Sequence, residues 1–231
     1  MNDINDESID MILCDLPYGT TACKWDTVIP FEPLWAHYKR IIKNNGAIVL
    51  TASQPFTSAL VMSNIKMFKY DWVWKKSRVT GVLNAKKQPL RTKEDIIVFS
   101  NGVAIYNPQG LVENNKQANT GVSKSGKQGL ATGKIKQTET GTYNQEFTNY
   151  PRNIIAIPSE GRTLHPTQKP VALFEYLIKT YTNEGELVLD NCAGSGTTAI
   201  ACLKTNRNYI LIEQDSKYCE IANRRIAEFM P

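Results

Sequence analysis

Histidine is nearly absent, with two in 231 residues, and the five cysteines (Cys14, Cys23, Cys192, Cys202, Cys219) include no Cys-x-x-Cys pair. An odd number at such spacings supplies neither a zinc ligand set nor a disulfide framework, so no metal and mostly buried, reduced thiols are expected. His37 falls on a helical stripe beside Trp35 and Tyr38 and reads as a packing or surface residue. No run of 18 apolar residues occurs, and Asp3, Asp6, Glu7 and Asp10 stand where a signal peptide would need positive charge and an apolar core. A soluble cytoplasmic protein without a membrane span is expected. Acids are scarce in one place above all: Lys66, Lys69, Lys75, Lys76, Arg78, Lys86, Lys87, Arg91 and Lys93 share their stretch with the single acid Asp71. Against a net charge of only +5, that cluster, interleaved with Tyr70, Trp72 and Trp74, reads as a surface facing phosphates.

What is present is an α/β pattern. At 42% hydrophobic over 231 residues, the chain can bury one core and carry an insertion, while two full domains would be a squeeze. Ile9 to Cys14 is a short apolar run that suits a strand buried on both faces. Phe31, Leu34, Trp35, Tyr38, Ile41 and Ile42 recur at helical spacing, Asn44-Asn45-Gly46 stops that helix, and Ala47 to Thr51 is the next strand. Tyr70 to Trp74 and Ile96 to Ser100 follow as strands. Residues 103–150 lose both periodicities and are read as a loop-rich insertion between residues 1–102 and 151–231. Pro170 then opens a helix through Val171, Leu173, Phe174, Leu177, Ile178 and Tyr181. Strand Leu187 to Asp190, a helix through Ile200 and Leu203, strand Tyr209 to Glu213, and a helix from Ser216 to Phe229 complete a mainly parallel sheet with helices on both faces.

Two strand ends carry chemistry. After Leu187 to Asp190 come Asn191-Cys192-Ala193-Gly194-Ser195-Gly196-Thr197-Thr198, with a carboxylate at the strand end, glycines in the turn and hydroxyls opening a helix. Glycine lets backbone approach a ligand closely, and Asp190 and Glu213 can orient its polar groups, which points to a nucleoside-binding βαβ unit. The segment also fits G-x-G-x-x-A, but a dinucleotide fold begins with this unit, and here about 35 residues follow Gly196. No lysine follows the glycine as a P-loop requires. The remaining strands must therefore come from the start of the chain, which is a circularly permuted order. The second strand end, Asp15-Leu16-Pro17-Tyr18-Gly19, falls at the carboxyl edge of the sheet, where open α/β folds bind ligands.

The order of these segments resembles the β-class of amino-methylating DNA methyltransferases, which act on adenine N6 or cytosine N4. Their base-holding motif reads Asp/Asn/Ser-Pro-Pro-aromatic and precedes the glycine-rich cofactor motif, with the recognition region between. His165-Pro166-Thr167-Gln168-Lys169-Pro170, Trp72-Val73-Trp74-Lys75 and the stretch from Asn84 to Arg91 are also similar to that family, which the chain matches nearly throughout, apart from residues 103–150. The resemblance implies a circularly permuted Rossmann-like sheet that uses S-adenosylmethionine. His165, Thr167, Lys169, Asp190, Cys192, Ala193, Gly194, Ser195, Gly196, Thr197, Thr198 and Glu213 are expected at the cofactor, Glu213 on its ribose. Lys75, Lys76, Arg78, Lys86, Lys87 and Arg91 are expected on double-stranded DNA, with target recognition in 103–150 and a homodimer as the assembly.

The residues of the first motif suit that chemistry. An aromatic amino nitrogen shares its lone pair with the ring and is a weak nucleophile. Asp15 and the Leu16 carbonyl can both accept from the NH2, localising the lone pair and stabilising charge that grows during direct attack on a sulfonium methyl. Pro17 stiffens the turn and Tyr18 offers a stacking face to a base flipped out of the duplex. An aspartate at the first position favours adenine. Two departures stand out. Leu16 replaces the usual proline but keeps the carbonyl. Relatives also carry a strand ending in Gly-Asp ahead of the base-holding strand, whose acid helps bind the cofactor adenine. With only Met1 to Ser8 before Ile9, a sheet lacking that edge strand is expected. The alternatives are cytosine N4, an amino nitrogen in RNA or protein, and a non-catalytic DNA-binding protein of the same fold.

Overall fold

The computed structural model describes residues 1–21, 23, 26–119, 142–161 and 168–229. Its elements run β1 (Ile9–Cys14), α1 (Phe31–Ile41), β2 (Ile42–Ala52), α2 (Phe56–Ser63), β3 (Phe68–Thr80), β4 (Arg91–Phe99), β5 (Val112–Asn119) and β6 (Thr142–Thr148). They continue as β7 (Ile154–Ile155), α3 (Val171–Tyr181), β8 (Leu187–Asp190), α4 (Thr197–Lys204), β9 (Asn208–Leu211) and α5 (Ser216–Phe229). Residues 1–107 and 152–231 form one unit and 108–151 another.

The first unit is built on a seven-stranded sheet in the order β7-β3-β4-β2-β1-β8-β9. Strand β1 is buried along its whole length, as its unbroken apolar run requires. It pairs in parallel with β2 on one side and with β8 on the other, Met11 opposite Val188 and Ile12 opposite Leu189. The permuted order read from the sequence is thus the observed one, and β9 is the edge strand on the cofactor side among the described residues. Asp10 fastens the junction: its carboxylate accepts the Leu187 N–H at 3.0 Å and pairs with Lys43 at 2.6 Å.

Alternate side chains of β1 serve opposite layers. Ile12 and Cys14 pack with Leu34, Trp35 and Tyr38 of α1 and Phe56 and Leu60 of α2. Met11 and Leu13 pack with Leu173, Leu177 and Ile178 of α3 and Ala201 of α4. Each such side chain contributes about 2 kcal/mol by leaving water. Pro170 is the N-cap of α3, as its fixed φ suits.

Four expectations change. Trp72 and Trp74 do not face solvent: each is 3% exposed, with the indole N–H groups donating to Tyr181 Oη at 2.6 Å and the Ile157 carbonyl at 2.8 Å. Strand alternation sends both to the core. Helix α2 has no counterpart in the sequence pattern, because FTSALVMS mixes apolar and small polar residues and shows no stripe. The second unit is not loop alone; β5 and β6 form an antiparallel pair whose polar sequences carry no period-2 signal. All five cysteines are free, yet only Cys14 and Cys202 are buried, while Cys23, Cys192 and Cys219 are partly exposed. Among the described residues no helix is long and apolar enough to cross a membrane.

Burial separates two leucines. Leu13 is fully buried whereas Leu83 is fully exposed at the turn between β3 and β4. Leu13→Ala is expected to lower unfolding free energy by about 2–5 kcal/mol and Leu83→Ala by less than about 0.5 kcal/mol, measured by urea denaturation.

Candidate active site

Parallel pairing brings the carboxyl ends of β1, β2, β8 and β9 to one edge of the sheet, and a cleft of about 1160 Å³ opens there. Its walls include Asp15 to Tyr18, Lys169, Asp190 to Ser195, Thr197 and Glu213. The two strand-end segments singled out in the sequence therefore face one space. His165, Pro166 and Thr167 lie outside the described residues.

Both oxygens of Asp15 accept hydrogen bonds. Its Oδ1 accepts from Tyr18 Oη at 2.7 Å and from the Thr51 hydroxyl, and its Oδ2 accepts from Lys169 Nζ at 2.6 Å. Thr51 arrives because β2 runs beside β1 in register, Cys14 opposite Leu50; its role leaves no mark in the local sequence and follows from strand pairing alone. Tyr18 stacks on Phe56, ring centroids 5.2 Å apart, and Lys169 Nζ sits 5.5 Å from the Tyr18 ring centroid. Burial, then the Asp15 and Glu94 charges, push the Tyr18 phenol well above its ordinary pKa, so it remains a donor.

Lys169 is 6% exposed and lies between two carboxylates, Asp15 at 2.6 Å and Glu94 Oε2 at 3.3 Å. Burial alone would lower its pKa; the two carboxylates more than offset this and hold it above the ordinary lysine value. Lys76 pairs with the other Glu94 oxygen at 3.1 Å. Glu94 escaped the sequence reading because a lone acid ahead of Ile96 to Phe99 looks like an ordinary strand start.

The loop after Tyr18 is held by Asp26. This carboxylate, 8% exposed, accepts the N–H groups of Gly19, Thr20 and Thr21 at 2.7–2.9 Å. Burial pushes its pKa up, but the Thr21 hydroxyl and these N–H groups outweigh that and bring it below the ordinary value. An aspartate five residues beyond a Gly-Thr-Thr turn is the signal that could have found it.

On the cofactor side, Gly194 and Gly196 take φ of 51° and 78°, as a left-handed turn requires. A Cβ at Gly196 would also stand 3.0 Å from Ala222 Cβ of α5. Asp190 accepts the Cys192 N–H at 3.0 Å and the Thr198 hydroxyl, and Glu213 accepts the N–H groups of Gly194 at 2.7 Å and of Gln214 and Asp215 at 2.9 Å. Thr198 is fully buried and serves Asp190. Ser195 donates to Gln168 Oε1 at 3.0 Å, and Arg225 of α5 reaches the Ser195 carbonyl and Thr197 Oγ1 at 3.2 Å. Of the basic residues, Lys76, Arg78 and Arg91 line the cleft, while Lys75, Lys86 and Lys87 are exposed on the extension of β3 and β4.

Residues 9–224 match the N6_N4_Mtase family, described as DNA methylase. The chain is 30% identical over 241 residues to the DNA adenine methyltransferase YhdJ of Escherichia coli (strain K12), covering 95% of this chain and 76% of that one. A crystal structure of M1.HpyAVI with SAM superposes with TM-score 0.62 at 24% identity, covering 94% of this chain and 89% of that one. The cytosine-N4-specific PvuII DNA methyltransferase gives TM-score 0.64 at 15% identity, covering 99% and 86%. These two likenesses establish the fold.

Two carboxylates make opposite pH predictions. Burial raises Asp190, against the Thr198 and Cys192 hydrogen bonds, from 3.8 to about 6. The folded chain thus binds this proton more readily than the unfolded one, so the cost of burying the charge is present above about pH 6 and is relieved as pH falls toward 3.8. Asp190→Asn should remove a slope worth about 3 kcal/mol across that window, read from chemical unfolding at a series of pH values. Asp26 stabilises above its ordinary pKa and loses this as pH falls through its lower folded value. Asp26→Ala should cost about 3 kcal/mol at neutral pH by the same measurement.

Proposed function

Because the chain belongs to the family of DNA methylases that modify exocyclic amino groups, we propose that it moves a methyl group from S-adenosylmethionine to adenine N6 within a defined DNA sequence. The single observation carrying this reading is that Asp15 and the glycine turn after β8 line one cleft, as acceptor and donor sites of a direct transfer must.

The residues on the cofactor side fit a nucleoside with a charged tail. Glu213 is partly exposed just beyond β9 and would accept ribose hydroxyls, and the turn from Ala193 to Thr197 would bring backbone close to the nucleoside. S-adenosylmethionine supplies an electrophilic methyl on a sulfonium. Asp15 and the Leu16 carbonyl accept the two N–H bonds of the amino group, turning its lone pair toward that methyl. The N–C bond forms as the S–C bond breaks, and the nitrogen then sheds one proton toward the Asp15 carboxylate. Lys76, Arg78 and Arg91 border the cleft and would position phosphates, while Lys75, Lys86 and Lys87 extend that contact. The unit 108–151 is the candidate for reading the target sequence. Adenine is favoured by the aspartate at the first motif position and by the adenine specificity named for the Escherichia coli relative.

Incubation with labelled S-adenosylmethionine and mixed-sequence duplex DNA, followed by nucleoside analysis, should yield N6-methyladenine. Asp15→Ala should lower the rate by at least about a hundredfold. N4-methylcytosine as the product would assign the cytosine reading, and unchanged incorporation by Asp15→Ala would overturn the role of the pocket.

A further inference from the structure

Asp15 poses a problem for its own task. Both of its oxygens are occupied: Oδ1 by the hydroxyls of Tyr18 and Thr51, Oδ2 by Lys169 at 2.6 Å. The acceptor capacity left on Asp15 is at Oδ2, which accepts from Lys169 alone, so an incoming amino group meets the Lys169 ammonium there. Beside Lys169 stands Glu94 Oε2, a buried oxygen that makes no hydrogen bond although Lys169 Nζ is only 3.3 Å away. Buried carboxylate oxygens are ordinarily satisfied, so an orphan of this kind calls for a reason.

We propose that Lys169 is a gate on the base pocket, held on Asp15 while the pocket is empty and handed to Glu94 when the target base enters. The proposal rests on the reading of Asp15 as the acceptor of the base amino group. Glu94 and Lys169 are positioning residues in this scheme, and the orphan oxygen is the second seat of the ammonium. Three features favour the handover. The displacement is short, since both carboxylates are already within ion-pair distance of one Nζ. The ammonium stays paired throughout, so no buried charge is stranded at any stage. The move also takes a positive charge away from a nitrogen that is about to gain one, and so favours transfer itself over ground-state binding. Lys76, paired with the other Glu94 oxygen at 3.1 Å, keeps that carboxylate in place. The remaining Asp15 donors are neutral hydroxyls, bonded to each other as well, Tyr18 Oη lying 2.9 Å from Thr51 Oγ1.

Glu94→Gln weakens the second seat without emptying the cleft. Single-turnover methyl transfer should fall by about tenfold or more, while dissociation constants for duplex DNA and S-adenosylmethionine stay within about twofold. In a Lys169→Met background the same Glu94→Gln change should cost nothing further, because there is no ammonium to hand over. Equal rates for Glu94→Gln and the unmutated chain, or full additivity with Lys169→Met, overturn the gate. Asp15→Ala separates the two levels: if it still transfers methyl groups, the base-holding reading itself has failed, whereas its inactivity beside a fully active Glu94→Gln removes only the gate. Should Glu94→Gln not fold, a structure of the unmutated protein with duplex DNA and S-adenosylhomocysteine decides. Nζ within hydrogen-bond distance of Glu94 Oε2 and released from Asp15 supports the handover, and Nζ still bonded to Asp15 overturns it.

Discussion

The parallel pairing of β1 with β8 joins segments up to 177 positions apart and sets where every acceptor in the cleft can stand. Parallel neighbours end at the same edge, so Asp15 and Asp190, each at the carboxyl end of its strand, are delivered to one space. The Asp10 carboxylate fixes the register by holding the Leu187 N–H. A slip of one residue would turn Met11 and Leu13 from the α3 layer to the α1 layer and re-aim the loops that follow.

Within that frame the cleft is an alternating chain of charges. Lys76, Glu94, Lys169 and Asp15 neutralise one another over short distances, which is how so many ionised groups coexist in a half-buried place. Every charge in the chain has an opposite partner. Apart from Glu94 Oε2, the groups of this chain are already bonded, so the strength of the resting network becomes part of what the substrate must overcome. The cofactor side differs: Glu213 is bonded to backbone N–H groups and Asp190 to the Cys192 N–H and the Thr198 hydroxyl, so the shape of that wall is set before anything binds.

What could be read in advance follows from how locally each feature is encoded. Strand β1 and the unit from β8 to β9 were legible because apolar runs, strand-end acids and turn glycines sit within a dozen residues. Helix α2 was not, since eight residues of mixed apolar and small polar character show no stripe. The pair β5 and β6 is held by backbone pairing between polar segments, which leaves no pattern. Trp72 and Trp74 lie in the core because charge density along a chain is not charge density on a surface: a strand sends neighbouring side chains to opposite faces. Asp15 and Glu213 were legible from their positions at strand ends, but the partners of Asp15 were not: Thr51, Glu94 and Lys169 come from three other places in the sequence and meet it only through the sheet. Lys169, expected at the cofactor, bonds to Asp15 in the cleft.

The long reach between β1 and β8 also bears on how the chain comes to be folded. At ribosomal speeds of about 5–20 residues per second, the 177 positions between Asp10 and Leu187 take on the order of ten to forty seconds to synthesise. During that interval β1 can gain β2 on one side while the N–H and C=O groups of its other edge stay open to the strands of other nascent chains. Pairing two strands so far apart in the sequence gives a well-defined cleft at the expense of slow closure.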